Sequence, residues 1–413
     1  MTTVASDNAP PRHGLPYMEF VGIIAGLMAV NALGVDIMLP ALSTIGRDLH
    51  LSVVNHQQWV ISVYLASFGV GQLFFGPLAD RFGRRPILLG ALSLYAAMSV
   101  LAALANSFEL LLAARALQGF ASASTRVLTI SIVRDCYSGR TMARVMSMAF
   151  TVFLFVPILA PALGQMILLV APWHWIFYVL GAFSLSIALW AEIRLPETLD
   201  FANRRPINPA AILQSAWIVL TNRYSLGYTL AMANVYGGMV GFLSSAQQII
   251  ADGFGVPELF ALCFASVGIS MGAASLLNAR IVERLGSRLV SHTALIAMIA
   301  INGLHMLVLV SGHETLAAFL ILQGLSMFCF GFCGSNFGAM AMEEMGHLAG
   351  TASAVQGFIS TSGGSVIGLI IGQHFTHDPL PLAIGIFTAS CTALLIIFIT
   401  ERGRLMRPHH PVQ

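Results

Sequence analysis

The sequence predicts an all-α membrane protein: twelve transmembrane helices in two pseudo-symmetric six-helix bundles. Three observations predict it. Apolar residues make up 57% of the 413 residues and charged residues only 9%, far from the balance of a soluble globular chain. The apolar residues gather into twelve continuous runs, each long enough for the ~20 residues that cross a bilayer core. A basic, glycine-centred segment between the second and third runs then returns in weaker form between the eighth and ninth.

In chain order the runs cover 18–41, 57–77, 86–105, 108–132, 142–170, 173–195, 222–250, 259–281, 289–311, 314–341, 350–375 and 381–400. They are continuous, without the period of two that a lipid-facing β-strand shows, so helices are predicted and a barrel is not. Residues 1–17 hold one arginine and three prolines but no short apolar core with a small-residue cleavage site; a cytoplasmic tail is expected there, not a signal peptide. The longest polar interruption carries Pro196, Pro206, Pro209 and the Arg204-Arg205 pair. It divides the chain into an N-terminal bundle (18–195), a cytoplasmic linker (196–221), a C-terminal bundle (222–401) and a cytoplasmic tail (402–413).

Orientation rests on arginine, because the chain has no lysine. With both termini inside, seventeen arginines fall in inner loops and tails, and Arg47 is the only one outside. Cationic residues concentrate on the cytoplasmic side of membrane proteins, which fixes the expected topology.

The repeated segment is GPLADRFGRRP (Gly76–Pro86). Its Asp80-Arg81-Phe82-Gly83-Arg84-Arg85 aligns with Glu283-Arg284-Leu285-Gly286-Ser287-Arg288, half a chain later. Leu117-Gln118-Gly119 recurs as Leu322-Gln323-Gly324, and Gly164-Gln165 as Gly372-Gln373, at nearly the same offset. Parallel halves of this kind are one of the repeat architectures of secondary transporters, with the substrate site at the midplane between them.

The residues themselves nominate several chemistries. Asp36 is the only carboxylate well inside an apolar run. Ionising it among apolar neighbours is costly unless a cation pairs it, so it can load and release a proton; alternatively it reaches water at the outer side or locks the first helix to a neighbour. Arg115, about two turns into the fourth run, lies at a compatible depth. Its burial costs roughly 2.5–3.5 kcal/mol on insertion scales, so it should face the bundle interior and a partner, with a fixed ion pair to Asp36 as one form of that. Arg115, Gln118, Gly119, Ser122, Arg126 and Thr129 fall within a helical sector roughly 100° wide. Arg126 either lines the cavity, attracting anionic or carbonyl-rich substrates, or closes an inner gate with Asp80 or Asp135. Across the repeat, Arg115 meets Leu320, and the seventh run offers Asn234 and Tyr236 but no acid. Ion chemistry is therefore expected in the N-terminal bundle, with the C-terminal one shaping the pocket.

Tyr64, Phe68, Phe153, Tyr236 and Phe242 are candidate aromatic walls or bundle core. His174, between Trp173 and Trp175, suits a membrane-interface anchor. Cys136, Cys263, Cys329, Cys333 and Cys391 are scattered without companion ligands, so packing is expected and a metal site is not. Glu343, Glu344 and His347 read as a solvated turn. No phosphate-cradling Gly-Lys-Ser/Thr loop is present, which argues against an ATP-driven pump.

Together these residues resemble the major facilitator superfamily, and within it the twelve-helix drug:proton antiporters of the Bcr/CflA (bicyclomycin and chloramphenicol resistance) branch. The matching stretches are DIMLPAL (Asp36–Leu42), Gly76–Pro86, RALQG (Arg115–Gly119), PILAPALG (Pro157–Gly164), WHWIF (Trp173–Phe177), Pro196-Glu197-Thr198 and AGTASA (Ala349–Ala354). The resemblance implies a proton-coupling role for Arg115, beside the one its own chemistry suggests for Asp36. From the polar stripe, the aromatic candidates and the seventh run, substrate binding is expected of Tyr64, Arg115, Gln118, Ser122, Arg126, Asn234 and Tyr236. Asp80, Arg81, Gly83, Arg84 and Arg85 would form a latch that steadies the outward-open state, a reading set against mere topogenic charge. Pro157, Pro161 and Gly164 resemble the helix motif of exporters, although Ala160-Pro161 and Gly164-Gln165 stand where that motif has Gly-Pro and Gly-Gly. The expected activity is proton-coupled efflux of small amphipathic drugs by alternating access, in the bacterial inner membrane. The expected partners are the small-molecule substrate, protons and the lipid bilayer, with no nucleic acid, no cofactor, no enzymatic step and a monomeric state. A narrow metabolite or amino-acid exporter, or a proton-coupled nutrient importer, is the alternative on the same fold.

Overall fold

The computed structural model describes residues 14–376 and 378–407; the side chains of residues 152–154 and 347 are outside that description. The helices are α1 (Tyr17–Asp36), α2 (Leu42–Asp48), α3 (Trp59–Phe82), α4 (Arg84–Ala103), α5 (Phe108–Cys136), α6 (Gly139–Val170), α7 (His174–Arg194), α8 (Pro209–Thr221), α9 (Arg223–Gln248), α10 (Phe260–Leu285), α11 (Ser287–Val310), α12 (Leu316–Met342), α13 (Ala349–Gln373) and α14 (Leu380–Thr400). Among the described residues, eleven helical stretches are long and apolar enough to cross a membrane. The twelfth expected span is α5. It is long enough, but Glu109, Arg115, Arg126, Arg134 and Asp135 make it too polar to qualify by composition.

Two departures from the sequence runs have local causes. The first run is expected to end at 41, yet α1 stops at Asp36. Pro40 has no N–H to return to residue 36, so the chain passes through a tight turn (Leu39–Ala41) and resumes as α2. The linker also contains a helix. Asn208 accepts a hydrogen bond from the Ala211 N–H at 3.2 Å and Pro209 takes the first helical position, a pairing that favours helix initiation.

Helices α1 to α7 pack among themselves, as do α9 to α14, and the two sets meet through α3 on α13 and α6 on α10. Without a hydrophobic drive between helices in lipid, close approach falls to small residues. A Cβ on Gly71 would sit 2.6 Å from the Phe120 carbonyl oxygen, and one on Gly119 would overlap the Tyr64 backbone, so α3 and α5 touch main chain to main chain. In the second bundle a Cβ on Gly364 would meet the Tyr236 ring at 2.6 Å, which fixes that ring between α9 and α13.

The termini of the bundles and α8 share one face, called here the linker face. At the opposite face the bundles are stitched by uncharged side chains. Ser43 Oγ donates to Gln247 Oε1 at 2.6 Å, Gln58 Nε2 to Gln248 Oε1 at 2.6 Å, and Asn55 Nδ2 to the Gln373 carbonyl at 3.0 Å. Further in, Ser365 Oγ donates to the Ser62 carbonyl at 2.7 Å, Ser362 Oγ to the Ala66 carbonyl at 2.9 Å, and Gln72 Nε2 to Thr361 Oγ1 at 3.4 Å. These bonds end near the middle of α3. Toward the linker face the contact continues as apolar packing, with Leu73 of α3 against Val219, Met345, Ala352 and Val355.

The packing yields a paired expectation. Gly119→Ala overpacks a backbone contact and should lower stability by about 1–3 kcal/mol. Gly90→Ala, where an added Cβ has nothing within 4 Å, should be neutral or stabilising by up to about 1 kcal/mol. Thermal unfolding of the detergent-solubilised protein measures both; equal effects would refute the main-chain contact.

Candidate functional site

Arg115 is fully buried, and no carboxylate meets it. Its Nε donates to the Val60 carbonyl on α3 at 3.2 Å, one terminal nitrogen to the Gly34 carbonyl on α1 at 2.9 Å, and the other to Gln118 Oε1. The guanidinium lies 4.1 Å from the centre of the Tyr64 ring, a cation–π contact. Gln118 in turn donates to Ser99 Oγ at 2.6 Å. Tyr64 O–H lies 2.8 Å from Ser122 Oγ and 3.2 Å from Asn31 Oδ1. Tyr64, Arg115, Gln118 and Ser122 all have essentially no exposed surface. In this conformation they form a buried hydrogen-bonded cluster among α1, α3, α4 and α5.

Asp36 is 5% exposed and, among the described residues, has no hydrogen-bond or ion-pair partner. The expected Asp36–Arg115 pair is therefore not formed. Arg115 instead grips the carbonyl of Gly34, two residues before Asp36, and so holds the end of α1 where the helix breaks. A Cβ on Gly34 would collide with both the Tyr64 and Tyr95 hydroxyls, at 2.7 and 2.6 Å. Gly164 of α6 packs against the same break, on the Ile37 carbonyl, with Pro40 at 3.1 Å from the position of a Cβ. The proline-bearing α6, with Pro157 and Pro161, thus abuts the segment that follows Asp36.

Arg126 is exposed in a stretch of α5 that is otherwise largely buried. It makes no hydrogen bond or ion pair among the described residues, and in this conformation Asp80 and Asp135 are both bonded to Arg84. Asn234 lies two residues before Tyr236 on α9 and turns its amide to the Leu230 carbonyl at 2.9 Å. Of the other aromatics, Phe68 and Phe242 are core, and the Phe153 side chain lies outside the described residues. Trp173 is buried, with its indole N–H on Asp48 at 2.9 Å and His174 stacked on it at 3.7 Å, while Trp175 is exposed.

The latch segment stays within its own bundle. Gly83 has φ 105°, a region that favours glycine, and it turns α3 directly into α4. Arg84 is buried and binds Asp80 at 2.6 Å and Asp135 at 3.0 Å. The Glu197 carboxylate, not Asp80, accepts the first N–H groups of α4, from Arg84 at 2.8 Å and Arg85 at 3.2 Å, where a negative charge suits the helix dipole. Thr198 approaches Asp135 at 3.4 Å and Arg85 donates to the Glu192 carbonyl at 2.5 Å. Arg81 is exposed.

The second copy builds the same device from different positions. Gly286 has φ 80°, and Arg288, aligned with Arg85 in sequence, takes the part of Arg84. It binds Glu343 at 2.8 Å and Glu401 at 2.8 Å. Glu401 also accepts from the Tyr228 hydroxyl at 2.5 Å, and that hydroxyl lies 3.1 Å from Nε2 of the buried His292. Glu344 accepts from Asn222 at 2.7 Å. Glu343 and Glu344 stand in an exposed turn, as expected, and there also carry these bonds; the His347 side chain lies outside the described residues. With the Arg288 pairs, ion pairing is not confined to the N-terminal bundle; His305 and Glu314 also hydrogen-bond at 3.0 Å. In the C-terminal bundle ion pairing sits at the helix ends. Sequence reasoning missed Asn31, Gln58, Gln247, Gln248, His292 and Glu401; isolated polar residues inside apolar runs were the available signal for most of them.

Gln165, which departs from the exporter motif, and Gln373, its counterpart in the repeat, perform matched tasks. Each reaches into the other bundle at the opposite face: Gln165 Nε2 to the Glu258 carbonyl at 3.2 Å, Gln373 Nε2 to the Asn55 carbonyl at 2.6 Å.

Two halves related by this repeat, with an arginine-braced helix break beside a partnerless carboxyl, define a secondary-transporter architecture. The chain belongs to the Major Facilitator Superfamily, whose sequence profile matches residues 24–369. It is 30% identical over 393 residues to the uncharacterised MFS-type transporter YdgK of Bacillus subtilis, covering 93% of this chain and 96% of that one. It is 29% identical over 391 residues to a bicyclomycin resistance protein homolog of Haemophilus influenzae, with coverage of 93% and 96%; the branch indicated by the motifs is therefore represented among its relatives. The fold is similar to the crystal structure of the human organic anion transporter MFSD10 (TETRAN), with a TM-score of 0.62 at 18% identity, over 94% of this chain and all of that one.

Arg115→Lys and Arg115→Gln should both destabilise the fold. Neither side chain reproduces the planar set of donors, and each buried acceptor left unpaired costs about 1–3 kcal/mol. Thermal unfolding reads the loss; a lysine variant of unchanged stability would refute the bracing role.

Proposed function

We propose that the chain is a proton-coupled exporter of small amphipathic toxic compounds, working by alternating access in the bacterial inner membrane with both termini cytoplasmic. The observation that carries this reading is Asp36, a buried carboxyl without a protein partner at the broken end of α1, between the bundles. A group so placed changes charge at a high cost or not at all unless the opening around it changes, which is what a coupling site requires. Membership of the superfamily and a relative named for bicyclomycin resistance support export of drug-like compounds. The arginine-rich linker face supports the cytoplasmic assignment.

In the proposed cycle Asp36 gains a proton from the outside and loses it to the inside, while substrate moves the other way. Arg115 takes part as a positioning residue. It is satisfied by carbonyls, so protonation does not act by breaking an ion pair; it acts on the α1 break that Arg115 and Gly164 hold. One elementary charge moving inward through 100 mV supplies about 2.3 kcal/mol, roughly a fiftyfold concentration ratio. The gradient alone therefore suffices as energy source, no cofactor is invoked, and one chain contains the whole site.

Everted membrane vesicles, energised and loaded with a pH-sensitive dye, provide the test. Adding neutral and cationic antibiotics should collapse the pH gradient with the wild type and not with Asp36→Asn. No collapse with any compound would refute drug:proton antiport, and equal collapse with the variant would remove Asp36 from the coupling.

A further inference from the structure

A cavity of about 360 Å³ lies at the linker face where α1 and α6 begin, lined by Tyr17 and Met18 of α1 and by Arg140, Thr141 and Arg144 of α6. Arg140 and Arg144 stand one turn apart, so both guanidinium groups serve the same side of the helix. Both are exposed, and among the described residues neither makes a hydrogen bond or an ion pair. The acids nearest to these residues in sequence are already engaged: Glu19 binds Arg194 at 2.6 Å and Asp135 binds Arg84 at 3.0 Å. What Arg144 does meet is the Tyr17 ring, whose centre lies 5.7 Å from the guanidinium carbon. That ring is itself held, edge-on to Tyr137 with centroids 6.4 Å apart and with its hydroxyl 3.5 Å from Met148 Sδ. The wall of the cavity is therefore fixed, while its two charges remain open to a ligand.

Membrane orientation alone accounts for arginines anywhere on this face. It does not account for two of them around one recess with no acid to meet them. Two forked guanidinium groups match the oxygens of a phosphate. The surface beyond them narrows the choice. Phe155, Leu159 and Met166 follow Arg144 within about 60° around α6, and they are 58%, 56% and 62% exposed. A soluble phosphate gains nothing from that strip, whereas the acyl chains of a phospholipid cover it. A zwitterionic headgroup would bring an ammonium against two cations, so the complementary headgroup carries net negative charge.

We propose that this cavity binds an anionic phospholipid, with the phosphodiester between Arg140 and Arg144 and the acyl chains along the exposed side of α6. The lipid then bridges the starts of α1 and α6, the two helices that meet again where Gly164 packs on the Ile37 carbonyl after Asp36. This site goes beyond the exporter reading and does not rest on it.

Native mass spectrometry of the full chain released from phosphatidylcholine nanodiscs containing phosphatidylglycerol tests the site. The wild type should retain phosphatidylglycerol in preference to phosphatidylcholine. Arg140→Gln and Arg144→Gln should each weaken that retention about fivefold, and the double variant about thirtyfold. Arg280→Gln, at an exposed arginine of α10 outside the cavity, should leave it unchanged. Added phosphatidylglycerol should raise the thermal midpoint of the detergent-solubilised wild type and not that of the double variant, whose midpoint without lipid reports whether it has folded. Equal retention of the two lipids by the wild type, retention of neither, or an equal loss in Arg280→Gln would overturn the proposal. Displacement of the lipid by excess inorganic phosphate or glycerol 3-phosphate would assign the cavity to a soluble phosphate and overturn the lipid assignment as well.

Discussion

A guanidinium buried without an anion is the constraint on which the N-terminal bundle depends. Arg115 finds its compensation in the carbonyls of Gly34 and Val60, the amide of Gln118 and the face of Tyr64. Each of those groups belongs to a specific helix at a specific depth, so satisfying one side chain sets α1, α3 and α5 relative to one another. The demand also explains the neighbouring small residues. Gly34 must lack a side chain for the Tyr64 and Tyr95 hydroxyls to approach, and Gly119 must lack one for α5 to lie on the Tyr64 backbone. The corresponding point of the other bundle shows what happens without the arginine: Leu320 stands in its place, and Gln323, the counterpart of Gln118, is buried with both amide atoms unpaired.

The two faces are built from different chemistry. At the linker face, paired arginine clusters brace each bundle internally: Arg84 with Asp80 and Asp135, Arg288 with Glu343 and Glu401. At the opposite face, amides and hydroxyls join one bundle to the other. Neutral hydrogen bonds exchange for water at little net cost, whereas breaking a buried ion pair strands a charge. The bonds within each bundle are therefore the costlier to break, and those between the bundles the cheaper.

Most of the fold was legible in the sequence because a bilayer imposes a long, one-dimensional signal. The runs, the arginine asymmetry and the repeated Gly83 and Gly286 turns all express that constraint. Local interruptions were harder to place. The end of α1 at Asp36 follows from Pro40, and α8 from Asn208-Pro209, yet both were hidden inside segments already assigned as span or linker. At the site, Asp36, Arg126 and Tyr236 stood out as polar residues in apolar surroundings. Their mutual arrangement did not, because helix periodicity orders residues around one axis and carries no information about which carbonyl of another helix an arginine will find. Arg115 and Asp36 matched in depth and sign, and still Arg115 bonds to main chain. The partners of Arg288 were similarly out of reach, since Glu343 and Glu401 come from the ends of α12 and α14, far apart in the chain.

The polarity of α5 has a bearing on how the protein reaches its membrane. A helix with arginines at 115 and 126 and a row of hydroxyls and amides between them is a poor candidate for partition into lipid on its own; each arginine near the centre of an isolated span adds about 2.5–3.5 kcal/mol to that step. The groups that satisfy Arg115 belong to α1 and α3, which are synthesised first. As α5 emerges it meets helices already holding the carbonyls it needs, so its entry into the bilayer is an act of assembly, and the order of synthesis becomes part of what makes the chain insertable.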